Sequence, residues 1–274
     1  MNNHTPISIS LWFDNNAEEA LKYYSSLFPN SSMGQTTPVV ASANLSGVDF
    51  IGINGGPIFK INPAISMMVI CEHKEEIDTL WATLSQGGFP LMPLKDYPWS
   101  PCYGWLQDKY GVNWQLYLGK LSDVRNQRIV PTMMFCGAQQ GKCKNALTFY
   151  QSVFKDYQSQ DILRYTEGEM AGQVQHTQFA ANNFLFMAMD SGVQQDFTFN
   201  EGVSFVISCE DQDEIDYYWT VFTKDGQESM CGWCKDPFGV SWQIVPKNIS
   251  NLLSTPSASQ ALMGMKKIVI ADLK

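Results

Sequence analysis

The sequence predicts an α+β fold: a tandem repeat of βαβββ modules, four in all, grouped as two related domains. Three observations predict it. The segment Ala20–Phe28 returns as Ala146–Phe154. The stretch around Ser66–Trp81 returns around Ser204–Trp219, and Gly104–Leu116 returns as Gly232–Ile244. The offsets are 126, 138 and 128 residues. Blocks that keep their order while their spacing drifts by loop-sized amounts mark a duplicated unit with insertions between its elements.

Each element of one copy follows from local pattern. Ile7–Phe13 alternates apolar and polar residues and predicts a strand. Asn16 precedes Ala17-Glu18-Glu19, which predicts an N-cap with a capping box. Ala20, Tyr23, Tyr24, Leu27 and Phe28 then form one helical face, and Pro29-Asn30 stops the helix. Val39–Leu45 and Phe50–Ile53 predict strands joined by a Ser46-Gly47 turn. The pattern restarts inside the copy. Ile65–Ile70 is an apolar strand, and Glu75–Leu84 is a helix with Ile77, Leu80, Trp81 and Leu84 inward. Gly87-Gly88 ends it, and extended segments close with Asn113–Leu118. The third offset assigns extra chain to Phe89–Cys102, where four prolines predict a long kinked loop. The expected domains are 1–120 and 121–250, with 251–274 as a linker and docking tail. Ser254–Ser259 is the linker, and Met263–Leu273 is a strand or helix on the body or a loosely attached end. This division leaves open whether modules pair within a copy, between copies or between chains. A homodimer is one expected outcome.

Bulk properties exclude several classes. The 274-residue chain carries a net charge of −9, which repels nucleic acid and anionic membranes. No stretch is long and apolar enough to span a bilayer, and Met1–Ser10 lacks the pattern of a secretory signal. Seven cysteines, scattered and odd in number, predict reduced thiols in a cytoplasmic protein. One uncovered concave face per curved sheet predicts a small-molecule pocket.

Local motifs narrow the family. Asp236-Pro237-Phe238-Gly239-Val240-Ser241-Trp242-Gln243-Ile244-Val245-Pro246 follows Cys231-Gly232-Trp233. Together with Asn54-Gly55-Gly56-Pro57, Gln175-His176 and Met187-Ala188-Met189-Asp190, it resembles the PhnB-like branch of the vicinal oxygen chelate (glyoxalase/bleomycin-resistance) superfamily. That branch is often labelled 3-demethylubiquinone-9 3-methyltransferase. The resemblance covers residues 7–120 and 129–250 and implies either a glyoxalase- or dioxygenase-type enzyme or a protein that sequesters a small molecule. The residues argue against methyl transfer by a Rossmann-type site. Such a site needs a Gly-rich turn opening a helix, and Gly52–Pro57 reads as a hairpin or loop.

The resemblance also implies where a divalent ion would sit: on the first and last strands of paired modules. Those strands offer Gln115 and Gln243 where metal enzymes of the superfamily carry Glu, and no His on Ser10–Phe13 or Thr132–Phe135. An ion, if held, would use Asp190 and Gln243. Gln115 and Gln243 are otherwise cavity-lining amides, bonded to backbone or to ligand. His4 and His73 lie away from the predicted strands. His176 lies on one, as a general base or as a structural histidine bonded to a neighbouring strand. Cys231-Gly232-Trp233-Cys234 has CxxC spacing, but in a strand its thiols face opposite ways, leaving Cys231 to face the pocket or to pack. Trp12, Asn54 and Met134 complete the candidate ligand-binding set. Asp190 serves as ligand or as turn cap. His176, Asp190, Cys231 and Gln243 all belong to the second copy, which makes that copy the better candidate.

Overall fold

A computed structural model describes residues 7–273. His4 lies outside the described residues. The first module runs β1 (Ile7–Phe13), α1 (Ala17–Leu27), β2 (Ser32–Thr36), β3 (Val40–Leu45) and β4 (Val48–Asn54). Ser46 and Gly47, both at positive φ, make the tight turn between β3 and β4. The predicted capping box does not form. Asn16 makes no side-chain cap bond. Instead Asn54 Oδ1, at the end of β4, accepts from Ala17 N at 2.9 Å, and Glu19 accepts from the Tyr110 hydroxyl. An oxygen supplied by the adjacent strand satisfies the same orphan amide while fixing the helix to its sheet.

The second module is β5 (Ile65–Cys71), α2 (Lys74–Leu84), β6 (Phe89–Tyr97), β7 (Ser100–Gln107) and β8 (Asn113–Leu118). The expected loop at 89–102 is thus a β6–β7 hairpin. Pro90 and Pro93 are tolerated because β6 is an edge strand, Pro98 sits in the connecting turn and Pro101 near the start of β7, and the register shifts three times along the pairing. The third module is β9 (Ile129–Phe135), α3 (Cys143–Val153), β10 (Gln158–Ser159), β11 (Leu163–Arg164), β12 (Val174–Ala181) and β13 (Phe184–Asp190). The fourth is β14 (Val203–Cys209), α4 (Gln212–Thr223), β15 (Gln227–Glu228), β16 (Trp233–Lys235) and β17 (Ser241–Pro246).

The sheets do not follow the copies. One has the order β15-β16-β17-β14-β1-β4-β3-β2 and joins the first and fourth modules. The other, β10-β12-β13-β9-β5-β8-β7-β6, joins the second and third. We call them the 1/4 sheet and the 2/3 sheet. In each, the opening strands of two modules meet antiparallel, β1 against β14 and β5 against β9. The connections 55–64 and 191–202 carry the chain between sheets and cross-link where they meet. Asn62 Nδ2 donates to Thr198 O and Asn200 Nδ2 to Lys60 O.

Alternation along the strands sorts side chains to two faces. Ile9, Leu11, Phe205, Trp242 and Ile244 of one sheet, and Met67, Val69, Met133, Trp114 and Leu116 of the other, share a single buried core with α1–α4. Within it two carboxylates act as clamps. Asp108 accepts from Tyr24 Oη (2.7 Å), Trp114 Nε1 (2.8 Å) and the amides of Tyr110 and Val112. Asp236 accepts from Tyr150 Oη (2.7 Å), Trp242 Nε1 (3.0 Å) and the amides of Phe238 and Val240. Tyr24 lies on α1, which packs on β3 and β4 of the 1/4 sheet, and Asp108 directly follows β7 of the 2/3 sheet. Tyr150 lies on α3, which packs on β12 and β13 of the 2/3 sheet, and Asp236 directly follows β16 of the 1/4 sheet, so each clamp ties the two sheets together.

The tail departs from expectation at its start. Thr255 Oγ1 caps Ala258 N and Pro256 opens a helix, so most of the predicted linker lies in α6 (Pro256–Met263), after a short α5 (Ile249–Leu252). Beyond it the chain docks. Met265 O and Lys266 O accept from Cys231 N and Gly232 N, and Ile268 is fully buried.

Candidate functional site

The faces turned away from the helices carry the site. On the 1/4 sheet, Ser241, Ser204 and Ser10 stand side by side across β17, β14 and β1. Gln243, two residues along β17, donates from Nε2 to Ser204 Oγ at 3.0 Å. On the 2/3 sheet, Ser66 and Thr132 pair across β5 and β9. Asn113 stands beside Ser66 on β8, one step before the Met67–Trp114 pair. Gln115 Nε2 donates to Ser66 Oγ at 2.6 Å. The two rows correspond residue for residue, each with an amide bonded to the serine at its centre.

All eight residues are buried. They alternate with the core residues Ile9, Leu11, Met67, Met133, Trp114, Phe205, Trp242 and Ile244 and so point away from α1–α4. Four of their oxygen atoms find no partner in the protein: Ser10 Oγ and Ser241 Oγ in one row, Thr132 Oγ1 and Asn113 Oδ1 in the other. The orphans occupy the same two places in both rows. A buried polar atom without a partner costs about 1–3 kcal/mol, so each row is short of hydrogen bonds that an occupant could supply.

The walls differ. In the 1/4 sheet, Trp12 on β1 lies edge-on to Phe59 (5.0 Å) and Trp233 (6.0 Å), and its indole donates to Gly56 O at 2.8 Å. Gly55 is obligatory there, because a Cβ at that position would lie 1.9 Å from the Trp12 ring. In the 2/3 sheet the wall is apolar and sulfur-rich. Met68, Ile70, Tyr103, Val130, Leu185 and Met187 form a second buried cluster against which Met92, Tyr97 and Trp105 pack. Tyr103 Oη donates to Gln115 Oε1 at 2.7 Å, so this amide is satisfied at both ends. Burial in this cluster pushes the Tyr103 hydroxyl well above its usual range.

The candidate residues named from sequence separate between the sheets. His176 (β12), Asp190 (β13), Met134 (β9) and Gln115 (β8) lie on the 2/3 sheet. Trp12 (β1), Asn54 (β4), Gln243 (β17) and Cys231, just before β16, lie on or beside the 1/4 sheet. The structure therefore does not bring the second-copy candidates together: His176 with Asp190 and Cys231 with Gln243 belong to different sheets. Asn54 and Asp190 occupy equivalent places and do equivalent work. Asp190 accepts from Cys143 N (3.0 Å), at the start of α3, and from Val174 N (2.9 Å), as Asn54 does at the start of α1. Burial raises the Asp190 pKa against these donors.

Met134 pairs with Met189. His176 follows two residues before Gln178 on β12, on the face that carries Met187 and Met189. Its imidazole has no hydrogen-bond partner among the described residues, and burial lowers its pKa, which keeps it neutral. Cys231 sits in a left-handed turn (φ 59°) held by the tail, and Cys234 is buried on the helix side. All seven cysteines are free. Burial raises the thiols of Cys71 and Cys136 to about 12 and lifts Cys231 as well, so none is poised as a thiolate.

The donor set does not fit a divalent ion. Gln115 and Gln243, at the strand positions where the resemblance would place an ion, are neutral amides with hydroxyls beside them, which are weak replacements for carboxylate and imidazole. Among the described residues no three His, Cys, Asp or Glu side chains converge, and Asp190 and Gln243 lie on different sheets. Sequence reasoning missed Ser10, Ser66, Thr132, Ser204, Asn113 and Ser241. The available signal was a hydroxyl interrupting an otherwise apolar run, as in Ile65-Ser66-Met67 and Val203-Ser204-Phe205.

Comparison with known proteins agrees with this architecture. The family described as 3-demethylubiquinone-9 3-methyltransferase matches residues 5–117 and 127–245. A putative 3-demethylubiquinone-9 3-methyltransferase, PhnB protein, from Bacillus cereus is 40% identical over 41% of this chain and 98% of its own, with a TM-score of 0.39. Glyoxalase I from Zea mays is 12% identical, covers 90% of this chain and 96% of its own, and has a TM-score of 0.56. A mutant form of that glyoxalase I matches at 10% identity over 91% of this chain and 98% of its own, also with a TM-score of 0.56. The glyoxalase likeness is one of fold alone. No curated protein matches the chain. The chain belongs to the PhnB-like family described as 3-demethylubiquinone-9 3-methyltransferase, and it has the two-domain vicinal oxygen chelate fold.

Proposed function

We propose that this protein binds a small, uncharged organic molecule against the polar rows of its two sheets, without a resident divalent ion. The observation that carries this reading is the repetition of unpartnered oxygens at Ser10 and Ser241 and again at Thr132 and Asn113. Packing alone would select apolar residues at such positions. Neutral donors and acceptors set among apolar side chains are the equipment of a binding site for a neutral ligand.

Methyl transfer is not supported by the residues. Gly52–Asn54 completes β4, and Gly55–Pro57 leads into a loop rather than opening a helix. A second reading, proton transfer by the enzyme, rests on one observation: the unpartnered, neutral imidazole of His176 on the 2/3 sheet. Free thiols at all seven cysteines support a reducing, cytoplasmic setting. No described helix is long and apolar enough to cross a membrane. Both module pairings are met within one chain, so a homodimer would use outer surfaces rather than shared sheets.

The test combines elemental analysis of protein purified without chelator with a thermal-shift screen of neutral and charged small molecules. The proposal expects substoichiometric metal and stabilisation by neutral compounds, diminished in Gln115→Leu or Gln243→Leu. Stoichiometric metal, or stabilisation by divalent ions alone, would contradict it.

A further inference from the structure

The 2/3 sheet carries an attachment that the 1/4 sheet lacks. The β6–β7 hairpin is long, whereas its counterpart β15–β16 pairs over two and three residues. At the hairpin tip Tyr97 and Trp99 stack at 4.9 Å with 24° between their planes, and Tyr103 meets both edge-on at 5.5 and 5.9 Å. Trp99 is 50% exposed. The tip is latched to the sheet, since Tyr117 Oη donates to Trp99 O at 3.1 Å. It is also wired to the polar row through Tyr103 Oη, Gln115 and Ser66.

Trp105, beside Gln115 in the sheet, has a buried indole N–H without a partner. Gln178, beside Met187, has a buried unpartnered Oε1. The free groups on this face are thus two neutral donors, Trp105 Nε1 and the Thr132 hydroxyl, two neutral acceptors, Asn113 Oδ1 and Gln178 Oε1, and the imidazole of His176, which burial keeps neutral. Each amide oxygen can only accept, and the indole can only donate.

We propose that the 2/3 sheet is a dedicated site for a planar, uncharged aromatic compound bearing a hydroxyl or carbonyl group, with Tyr97 and Trp99 as the stacking platform at its mouth. This rests on the reading of the polar rows as ligand sites and goes further in assigning one sheet and one ligand class. Methionine sulfur at Met68, Met92 and Met187 favours aromatic faces. The unpartnered indole selects for an acceptor oxygen, and the unpartnered amide oxygens select for a donor. The absence of a cationic group among them selects against carboxylates, because an anion would be desolvated without a counter-charge.

Isothermal calorimetry of the full chain with 2-naphthol and with 2-naphthoate tests this. Binding of 2-naphthol at one site is expected, with 2-naphthoate at least about tenfold weaker. Trp99→Ala should weaken 2-naphthol about three- to tenfold without lowering the melting temperature. Gln115→Leu should weaken it as well, and Gln243→Leu should leave it unchanged. Equal or tighter binding of 2-naphthoate overturns the ligand class. Binding indifferent to Trp99→Ala and Gln115→Leu but lost in Gln243→Leu moves the site to the other sheet and overturns this inference while the general function stands. No heat with either compound overturns it too, and the thermal-shift screen then decides the general function separately.

Discussion

Replacing Tyr150 with phenylalanine removes one oxygen from the Asp236 clamp and nothing else. The lost bond is short, 2.7 Å, and buried at both ends. A hydrogen bond to an ionised group contributes about 1.5–3 kcal/mol. The carboxylate keeps Trp242 Nε1 and two amides after the change, so it is not orphaned and a loss near ~2 kcal/mol is expected at pH 7.5. Burial raises the Asp236 pKa to about 6. At pH 5 the folded protein therefore holds a mostly neutral carboxyl, the bond is no longer charge-assisted, and the loss should shrink to ~1 kcal/mol. Urea unfolding of both proteins at the two pH values measures this, with the midpoint shifting and the slope unchanged. A loss below ~0.5 kcal/mol at pH 7.5, or one that grows at pH 5, would refute the reasoning.

Other consequences are equally direct. A carboxyl held near 6 instead of 3.8 favours the folded protein most below the lower value and loses that contribution as pH rises through the higher, a swing of ~3 kcal/mol for Asp236. Asp108 and Asp190 shift the same way. The urea midpoint should therefore rise from pH 7.5 to pH 5; a fall would mean that the donors to the ionised clamps outweigh burial. Ser10→Ala and Thr132→Val remove hydroxyls that have no protein partner. Each should leave ligand-free stability unchanged or raise it by up to ~1–2 kcal/mol, while reducing stabilisation by a bound compound. Each sheet needs strands from both halves, so a cut within 119–128 should yield fragments that fold only together. Two independently folded, monomeric fragments by sedimentation and circular dichroism would contradict the topology.

Much of this architecture was legible in the residues. The repeated Ala-Leu-x-Φ-Tyr helix (Φ, aromatic) and the Asp-x-x-Gly-Val-x-Trp turn disclosed four modules, because a duplicated core repeats its large apolar side chains. Strand bounds such as Ile7–Phe13 came directly from alternation. Pairing between modules was not legible. Joining first to fourth and second to third satisfies the same local patterns as closing each copy on itself, and only three-dimensional packing decides. The Phe89–Cys102 segment misled because proline reports a missing donor, which an edge strand can spare as readily as a loop. Asn54 and Asp190 looked like pocket residues because polar side chains at strand ends serve caps and ligands alike. The serine rows escaped notice because each is assembled across three strands distant in sequence. No local window contains Ser241, Ser204 and Ser10 together.

The central claim is that each polar row is built to hydrogen-bond an occupant. A high-resolution crystal structure of the full chain tests it most directly. Density for water or a small molecule within about 2.7–3.1 Å of Ser10 Oγ and Ser241 Oγ, and likewise of Thr132 Oγ1 and Asn113 Oδ1, is the predicted result. Rows closed off dry, with those four oxygens bonded to protein groups, would contradict it.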